Sequence, residues 1–116
     1  MLKYADFKLD NIFLKRFEGL QPAWGPLGYF TFKRTYARPL EDGGSEEFWQ
    51  TCQRVVESAD RVQKAHCLSH NLPWSDSKAQ RSAWEMYERM WQFKWLPPGR
   101  GLWVMGTDII ENKGGA

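Results

Sequence analysis

Four residues in the middle of the chain have side chains that bind soft metal ions: Cys52, His66, Cys67 and His70. Zinc sites usually place two ligands within a few residues on each arm, as in Cys-x2-Cys, so that one turn presents both. His66, Cys67 and His70 form one such group, whereas Cys52 stands alone on the apolar side of a predicted helix. We therefore expect Cys52 to be a core residue, the histidines to be surface polar groups, and no metal to be bound.

A second group of residues has side chains or backbone suited to phosphate. Glycines let backbone N–H groups converge on an anion, and an arginine supplies a bidentate fork. Arg100, which stands between two glycines, and the pair Gly106 and Thr107 are therefore candidate substrate-binding residues. A turn between a helix and a strand, with no role in binding, accounts for these three residues equally simply. We favour this structural interpretation. The sequence contains neither a Gly-x4-Gly-Lys-Ser/Thr loop nor a Gly-x-Gly-x-x-Gly loop.

Cations alternate with aromatic residues between positions 30 and 38, as they do in strands that stack RNA bases. The residues concerned are Phe30, Phe32, Lys33, Arg34, Tyr36 and Arg38. Such a platform needs exposed rings beside phosphate-binding cations. The chain carries 16 basic and 14 acidic residues, a net charge of only +2. This balance favours an amphipathic arm whose rings face a core, and we expect no nucleic-acid partner.

Helical periodicity and capping residues predict the elements that position these groups. Three helices are predicted, over 10–18, 45–64 and 75–95, with Asp10, Ser45 and Ser75 as their N-caps. Residues 29–36 have high β-propensity and partial alternation, which predicts an extended arm. The fold class is therefore mainly α, with three principal helices and one extended arm.

Composition indicates a globular chain rich in aromatic residues. Its 116 residues include seven Trp, seven Phe and four Tyr, a large aromatic area for one modest core. We therefore expect part of this surface to rest against another body. No apolar run reaches the length of a membrane span, and no signal-peptide core follows Met1. Two cysteines without framework spacing favour the cytoplasm as its location, and no membrane partner is expected.

Three blocks of sequence, in order and with these spacings, resemble one enzyme family. They are WGPLGY (24–29) with FKRTYAR (32–38), FWQT (48–51) with RVVE (54–57), and PPGRGLW (97–103) with MGTD (105–108). Together they are similar to the start of the monomeric, adenosylcobalamin-dependent (class II) ribonucleoside-triphosphate reductases. The resemblance runs from about Phe7 to the last residue.

The resemblance implies a fold and a reaction. In the family a helical N-terminal region packs on a ten-stranded α/β barrel, so that 1–96 would be that region and 97–116 the connection into the first barrel strand. Family members cleave the Co–C bond of adenosylcobalamin to form a thiyl radical, which initiates reduction of a ribonucleoside triphosphate; thioredoxin regenerates the reducing thiols. Cys52 and Cys67 match none of the family's redox cysteines, so that no catalytic residue is expected in this segment.

The implied cofactor is adenosylcobalamin, bound by the complete enzyme and not by this piece alone. The implied partners are the remainder of the reductase chain, the ribonucleoside triphosphate and thioredoxin. This piece alone is expected to be inactive. An alternative is a free-standing interaction module derived from the reductase, which would bind a protein or single-stranded nucleic acid.

Overall fold

The structure is a computed structural model that describes residues 6–24 and 26–95, and these residues are mainly helical. Four helices follow in order: α1 (Asn11–Leu14), α2 (Pro26–Thr35), α3 (Phe48–Ser69) and α4 (Asp76–Trp91). Within the described ranges no strand forms, and Pro39 and Ser45 make an isolated antiparallel bridge. The mainly α prediction is confirmed, whereas the predicted connection over 97–116 lies outside the described residues. None of the described helices has the length and apolar character needed to cross a membrane.

The predicted cap of the first helix is confirmed, but the helix is shorter than 10–18. The Asp10 carboxylate accepts a hydrogen bond from the backbone N–H of Ile12 at 2.8 Å. After Leu14 the chain tightens, because Phe17 donates its N–H to the carbonyl of Leu14, only three residues back. Gly19 ends the turn with φ of +78°, a backbone conformation that glycine adopts without steric cost.

The prediction of an extended arm over 29–36 is wrong, because residues 29–35 belong to α2 and Tyr36 lies in the turn that follows it. Pro26 occupies the first helical position, where its missing N–H would have no intrahelical partner and its fixed φ already suits a helix. Phe32 is 3% exposed and its ring packs on Trp24 and Phe48, at 5.3 and 5.5 Å between centroids. Burial of one face on the core thus outweighs the β-propensity of the individual residues.

The second predicted helix is confirmed as α3, with different ends. Ser45 is not its N-cap: Glu47 is, and its carboxylate and the Gln50 side chain form a reciprocal capping box. The helix continues beyond 64 to Ser69. Two residues later, Asn71 adopts φ of +56°. The N–H of Leu72 bonds the carbonyl of Cys67 at 2.8 Å, which completes a Schellman motif.

The third predicted helix is confirmed as α4, capped by the hydroxyl of Ser75 as expected. It ends at Trp91, before position 95, in a second Schellman motif: the N–H of Lys94 bonds the carbonyl of Arg89 at 2.8 Å. Phe93 occupies the left-handed position of this motif, with φ of +59°. A phenylalanine there is unfavourable by about 1–2 kcal/mol relative to a right-handed conformation, so that its side-chain contacts must offset this strain.

The core lies where α3 and α4 pack together and where residues 7–17 cover them. Val55, Val56, Cys52, Tyr87 and Met90 are fully buried. The broad apolar surface of α4 packs on this same core, because Trp84, Met86 and Trp91 are partly buried against it. Among the described aromatic residues only Phe93 and Trp95 are classed as exposed, at 39% and 42%. The uncovered aromatic surface is therefore concentrated at the C-terminal end of α4.

Candidate functional site

The three candidate substrate-binding residues, Arg100, Gly106 and Thr107, lie outside the described residues and remain predictions. The described chain reaches Trp95, so the part of the fold that leads toward them is the C-terminal end of α4. The geometry of that end therefore determines how the following segment leaves the helical region.

Phe93 anchors the end of α4 in an aromatic cluster. Its ring stacks on Trp24 at 5.8 Å and lies 5.5 Å from Phe48. Trp91 contacts the same Phe48 ring at 6.0 Å and reaches Phe17 at 5.1 Å on its other side. Aromatic pairs at such distances stabilise by about 0.5–1.5 kcal/mol each beyond the area they bury. Contacts with residues of three separate segments thus hold the C-terminal end of α4 in place.

A shallow groove beside this exit has a volume of about 580 Å³. The residues that line it are Ser82, Glu85, Met86, Arg89, Lys94 and Trp95. Arg89 and Glu85 form an exposed ion pair along its wall. The described lining combines an apolar part with a charged rim, a composition that protein contact surfaces share.

Glu46 is a buried carboxylate that accepts hydrogen bonds from several described residues. It is 5% exposed, and one of its oxygens accepts hydrogen bonds from the backbone N–H of Arg38 and the hydroxyl of Thr51, both at 2.9 Å. The guanidinium of Arg54 donates to both carboxylate oxygens, at 2.9 and 3.0 Å. This bidentate pair fixes the 36–47 connection to α3.

Lys33 and Phe32 do not form the exposed platform that an RNA-stacking strand requires. The Lys33 ammonium donates to the carbonyls of Ser45 and Glu46, both at 3.0 Å, and lies 3.2 Å from the Glu47 carboxylate. Phe32 is buried, as the alternative of core-facing rings expects. The side chain of Phe30 lies outside what the structure describes.

The cysteines and histidines occupy the places expected of packing and surface groups. Cys52 is fully buried, and burial, with a smaller contribution from the charge of Glu46, raises the pKa of its thiol well above the usual value. Cys67 is half-buried, and neither cysteine forms a disulfide. His66 and His70 are exposed. No three His, Cys, Asp or Glu side chains within the described ranges lie close enough together to hold a metal ion.

Two further carboxyl groups on α3 have raised pKa values. Burial raises the pKa of Glu57, although hydrogen bonds from the Leu9 N–H, at 2.9 Å, and from Gln53 lower it in part. Burial alone raises the pKa of Asp60 to about 6. Asp60 lines a second groove, of about 430 Å³, between α3 and the start of α4. Glu57 ties the N-terminal segment to α3 through its hydrogen bond with Leu9. Among the described residues, Asp60 makes no hydrogen bond to a neighbouring segment.

Sequence reasoning predicted neither the hydrogen-bonded cluster around Glu46 nor the helical state of α2. For α2 the signal is Pro26, because proline is favourable at the first position of a helix. For Glu46 no local signal exists, because its partners Arg38 and Arg54 lie eight residues away on either side. Only the folded arrangement brings these three residues together.

Comparison with known proteins agrees with the resemblance noted in the sequence. The family model described as "Ribonucleotide reductase alpha domain" matches residues 9–107. A protein of Dictyostelium discoideum named probable adenosylcobalamin-dependent ribonucleoside-triphosphate reductase is 38% identical over 111 residues, which cover 94% of this chain and 15% of that protein. The corresponding reductase of Euglena gracilis is 37% identical over 111 residues, 93% of this chain and 15% of the relative.

A solved structure gives the same assignment in three dimensions. The crystal structure of a B-12 dependent (class II) ribonucleotide reductase superposes with a TM-score of 0.75 at 34% sequence identity, covering 89% of this chain and 14% of that one. The chain therefore spans about 15% of the length of these relatives. On this evidence the chain belongs to the ribonucleotide reductase alpha domain family, as the counterpart of the N-terminal region of its adenosylcobalamin-dependent members.

Proposed function

We propose that this chain is the N-terminal part of an enzyme that reduces ribonucleoside triphosphates to 2′-deoxyribonucleoside triphosphates and so supplies deoxynucleotides for DNA synthesis. The observation that supports the proposal is the match over residues 9–107, together with the names of relatives such as the Dictyostelium discoideum and Euglena gracilis proteins. The cofactor of the proposed reaction is adenosylcobalamin, which supplies the initiating radical when bound.

The described residues do not fit the cofactor or a radical-bearing thiol. Cys52 is fully buried in the core, so that neither a cofactor nor a substrate can reach its thiol. Cys67 lies near the far end of α3, in a groove of about 430 Å³ that is small for a corrinoid. We therefore propose that the remainder of the enzyme binds cobalamin and performs the thiyl chemistry. Thioredoxin would re-reduce the thiols of that part.

The role proposed for the described residues is to hold the segment that follows Trp95. The aromatic cluster around Phe93 and the Glu46–Arg54 pair make this helical region a firm support for that segment. Within the segment, Arg100 is proposed to contact the triphosphate, with Gly106 and Thr107 beside it. A guanidinium suits this role because its planar fork matches two phosphate oxygens.

The experiment is reconstitution with a polypeptide that supplies the remainder of a class II reductase. We expect ribonucleoside triphosphate to be converted to its 2′-deoxy product only when both polypeptides, adenosylcobalamin and a dithiol are present. Chromatographic separation of the nucleotides measures the conversion. A stoichiometric complex that binds cobalamin and substrate but forms no product would refute the proposed function.

The proposed contact of Arg100 has its own test in the reconstituted enzyme. Replacement by alanine should raise the KM for the triphosphate about tenfold or more, because a bidentate charge-assisted contact is lost. Replacement by lysine should restore only part of that loss. An unchanged KM in both variants would return Arg100 to a purely structural role.

A further inference from the structure

The last turn of α3 carries the only two histidines of the chain, four residues apart. Residues at this spacing lie on the same face of a helix, one turn above the other. The imidazole rings of His66 and His70 accordingly face each other, with centroids 4.3 Å apart and planes tilted by 34°. Both residues are exposed, so that solutes reach the pair directly.

Hydrogen bonding determines which nitrogen of His70 carries the proton. Its Nδ1 lies 3.0 Å from the backbone oxygen of His66 and 3.1 Å from the hydroxyl of Ser69, and that hydroxyl donates to the same carbonyl. A carbonyl oxygen can only accept, so Nδ1 must be the protonated nitrogen of the neutral ring. The lone pair of Nε2 is left free. Metal-binding histidines commonly donate their other N–H to a carbonyl in this manner.

The backbone beneath the pair is held in place rather than frayed. His70 is the C-cap of α3, and the following Schellman motif closes with the bond from the Leu72 N–H to the Cys67 carbonyl. Asn71 takes the left-handed position of this motif, which asparagine tolerates better than most residues. This motif therefore fixes the backbone positions from which the two rings project.

We propose that His66 and His70 form a two-histidine chelate for a divalent transition-metal ion. Imidazole suits Zn²⁺, Ni²⁺ and Cu²⁺. Two ring nitrogens about 2.0–2.1 Å from one ion place the ring centroids roughly 4.5–5 Å apart, close to the observed 4.3 Å. To bind one ion, rotation about the side-chain torsions must turn one nitrogen of each ring toward it. The site is independent of the proposed reductase activity.

The protein supplies only these two ligands from the described residues, and the other coordination positions belong to water. Cys67 stands about a quarter-turn around the helix from His66 and lines the groove between α3 and α4, with Asp60 and Trp74. No third His, Cys, Asp or Glu of the described residues joins the pair in a group that could hold a metal ion. A site with two protein ligands differs from a structural zinc site, which has four and contributes to folding.

Titration of the untagged 116-residue chain with Ni²⁺ or Zn²⁺, followed by calorimetry, tests the chelate. We expect one equivalent to bind, and His66→Gln or His70→Gln to weaken binding by roughly 10²-fold or more, because the second contact of a chelate is intramolecular. Cys67→Ser is the matched control and should leave the affinity unchanged. Circular dichroism confirms that each variant keeps its helix content.

Nitrogen NMR of the imidazoles adds a readout that does not depend on affinity. With only two histidines in the chain, the protonated Nδ1 of His70 should be assigned directly, and Zn²⁺ should shift the Nε2 signal of that ring. Equal binding by the wild type and the His66→Gln/His70→Gln double variant would overturn the proposal. Loss of binding in Cys67→Ser alone would overturn it as well, since the thiol would then be the ligand.

Discussion

Replacing Glu46 by glutamine should strongly destabilise the helical region, because it removes a buried charge that ties the 36–47 connection to α3. The carboxylate accepts hydrogen bonds from the Arg38 N–H, the Thr51 hydroxyl and the Arg54 guanidinium. Glutamine has nearly the same shape, so that packing changes little. Its amide nitrogen, however, is a donor and must face at least one of these donors.

The expected loss follows from the burial of both partners. The side chains of Glu46 and Arg54 are 7% and 13% exposed, so the pair belongs with buried ion pairs, for which removal of one partner typically lowers the free energy of unfolding by about 3–5 kcal/mol. Because glutamine keeps one acceptor oxygen, we expect about 3 kcal/mol for Glu46→Gln. Glu85→Gln is the matched control, since the Glu85–Arg89 pair is 63% and 60% exposed and should contribute under 1 kcal/mol.

Urea unfolding followed by tryptophan fluorescence measures both variants. A double-mutant cycle with Arg54→Met should show a coupling free energy of about 1–3 kcal/mol between the two residues. A loss for Glu46→Gln no larger than that for Glu85→Gln would refute the reasoning, because the carboxylate would then be as well solvated as an exposed one.

Three further outcomes are expected. Phe93→Gly should destabilise less than Phe93→Ala, by about 1 kcal/mol in urea unfolding, because glycine adopts φ of +59° without strain; the reverse order would show that no strain is stored there. Asp60→Asn should stabilise by about 1 kcal/mol at pH 7, a third of the roughly 3 kcal/mol that the raised pKa alone suggests, because the group is partly solvated, whereas exposed Glu41→Gln should not. In the wild type, ionisation of the partly buried Asp60 carboxyl lowers the free energy of unfolding as pH rises from about 4 to about 6. The stability gained by Asp60→Asn should therefore shrink toward zero at about pH 4. A gain independent of pH would contradict the raised pKa of Asp60. Cys52→Ser with Cys67→Ser should leave turnover of the reconstituted reductase within a few-fold, and a collapse of turnover with folding intact would place a redox role in this segment.

Local signals in the sequence predicted the parts of the fold whose determinants lie within one turn. Asp10 and Ser75 were recognised as N-caps because each needs only a helix beginning directly after it. Burial of Cys52 followed from its place on the apolar face of α3. Periodicity over many residues likewise located α3 and α4 to within a few residues.

The errors arise where residues far apart in the chain decide the local structure. Residues 29–36 have strand-forming side chains, yet α2 forms because Phe32 is buried between Trp24 and Phe48. Ser45 looks like a cap, but it pairs with Pro39 in the bridge and leaves the role to Glu47. The substrate-binding prediction for Arg100, Gly106 and Thr107 could not be tested, since these residues lie outside the described part of the chain.

Two buried acids, Glu46 just before α3 and Glu57 within it, attach neighbouring segments to this helix. Glu46 holds the 36–47 connection through Arg38 and Arg54, and Glu57 holds the N-terminal segment through the Leu9 N–H. Each accepts hydrogen bonds from a backbone N–H and from side-chain donors, which are Thr51 and Arg54 at Glu46 and Gln53 at Glu57. A carboxylate that acts as a general base must instead face a substrate. These contacts fit the supporting role proposed for the described residues, in which the remainder of the enzyme supplies the reacting side chains.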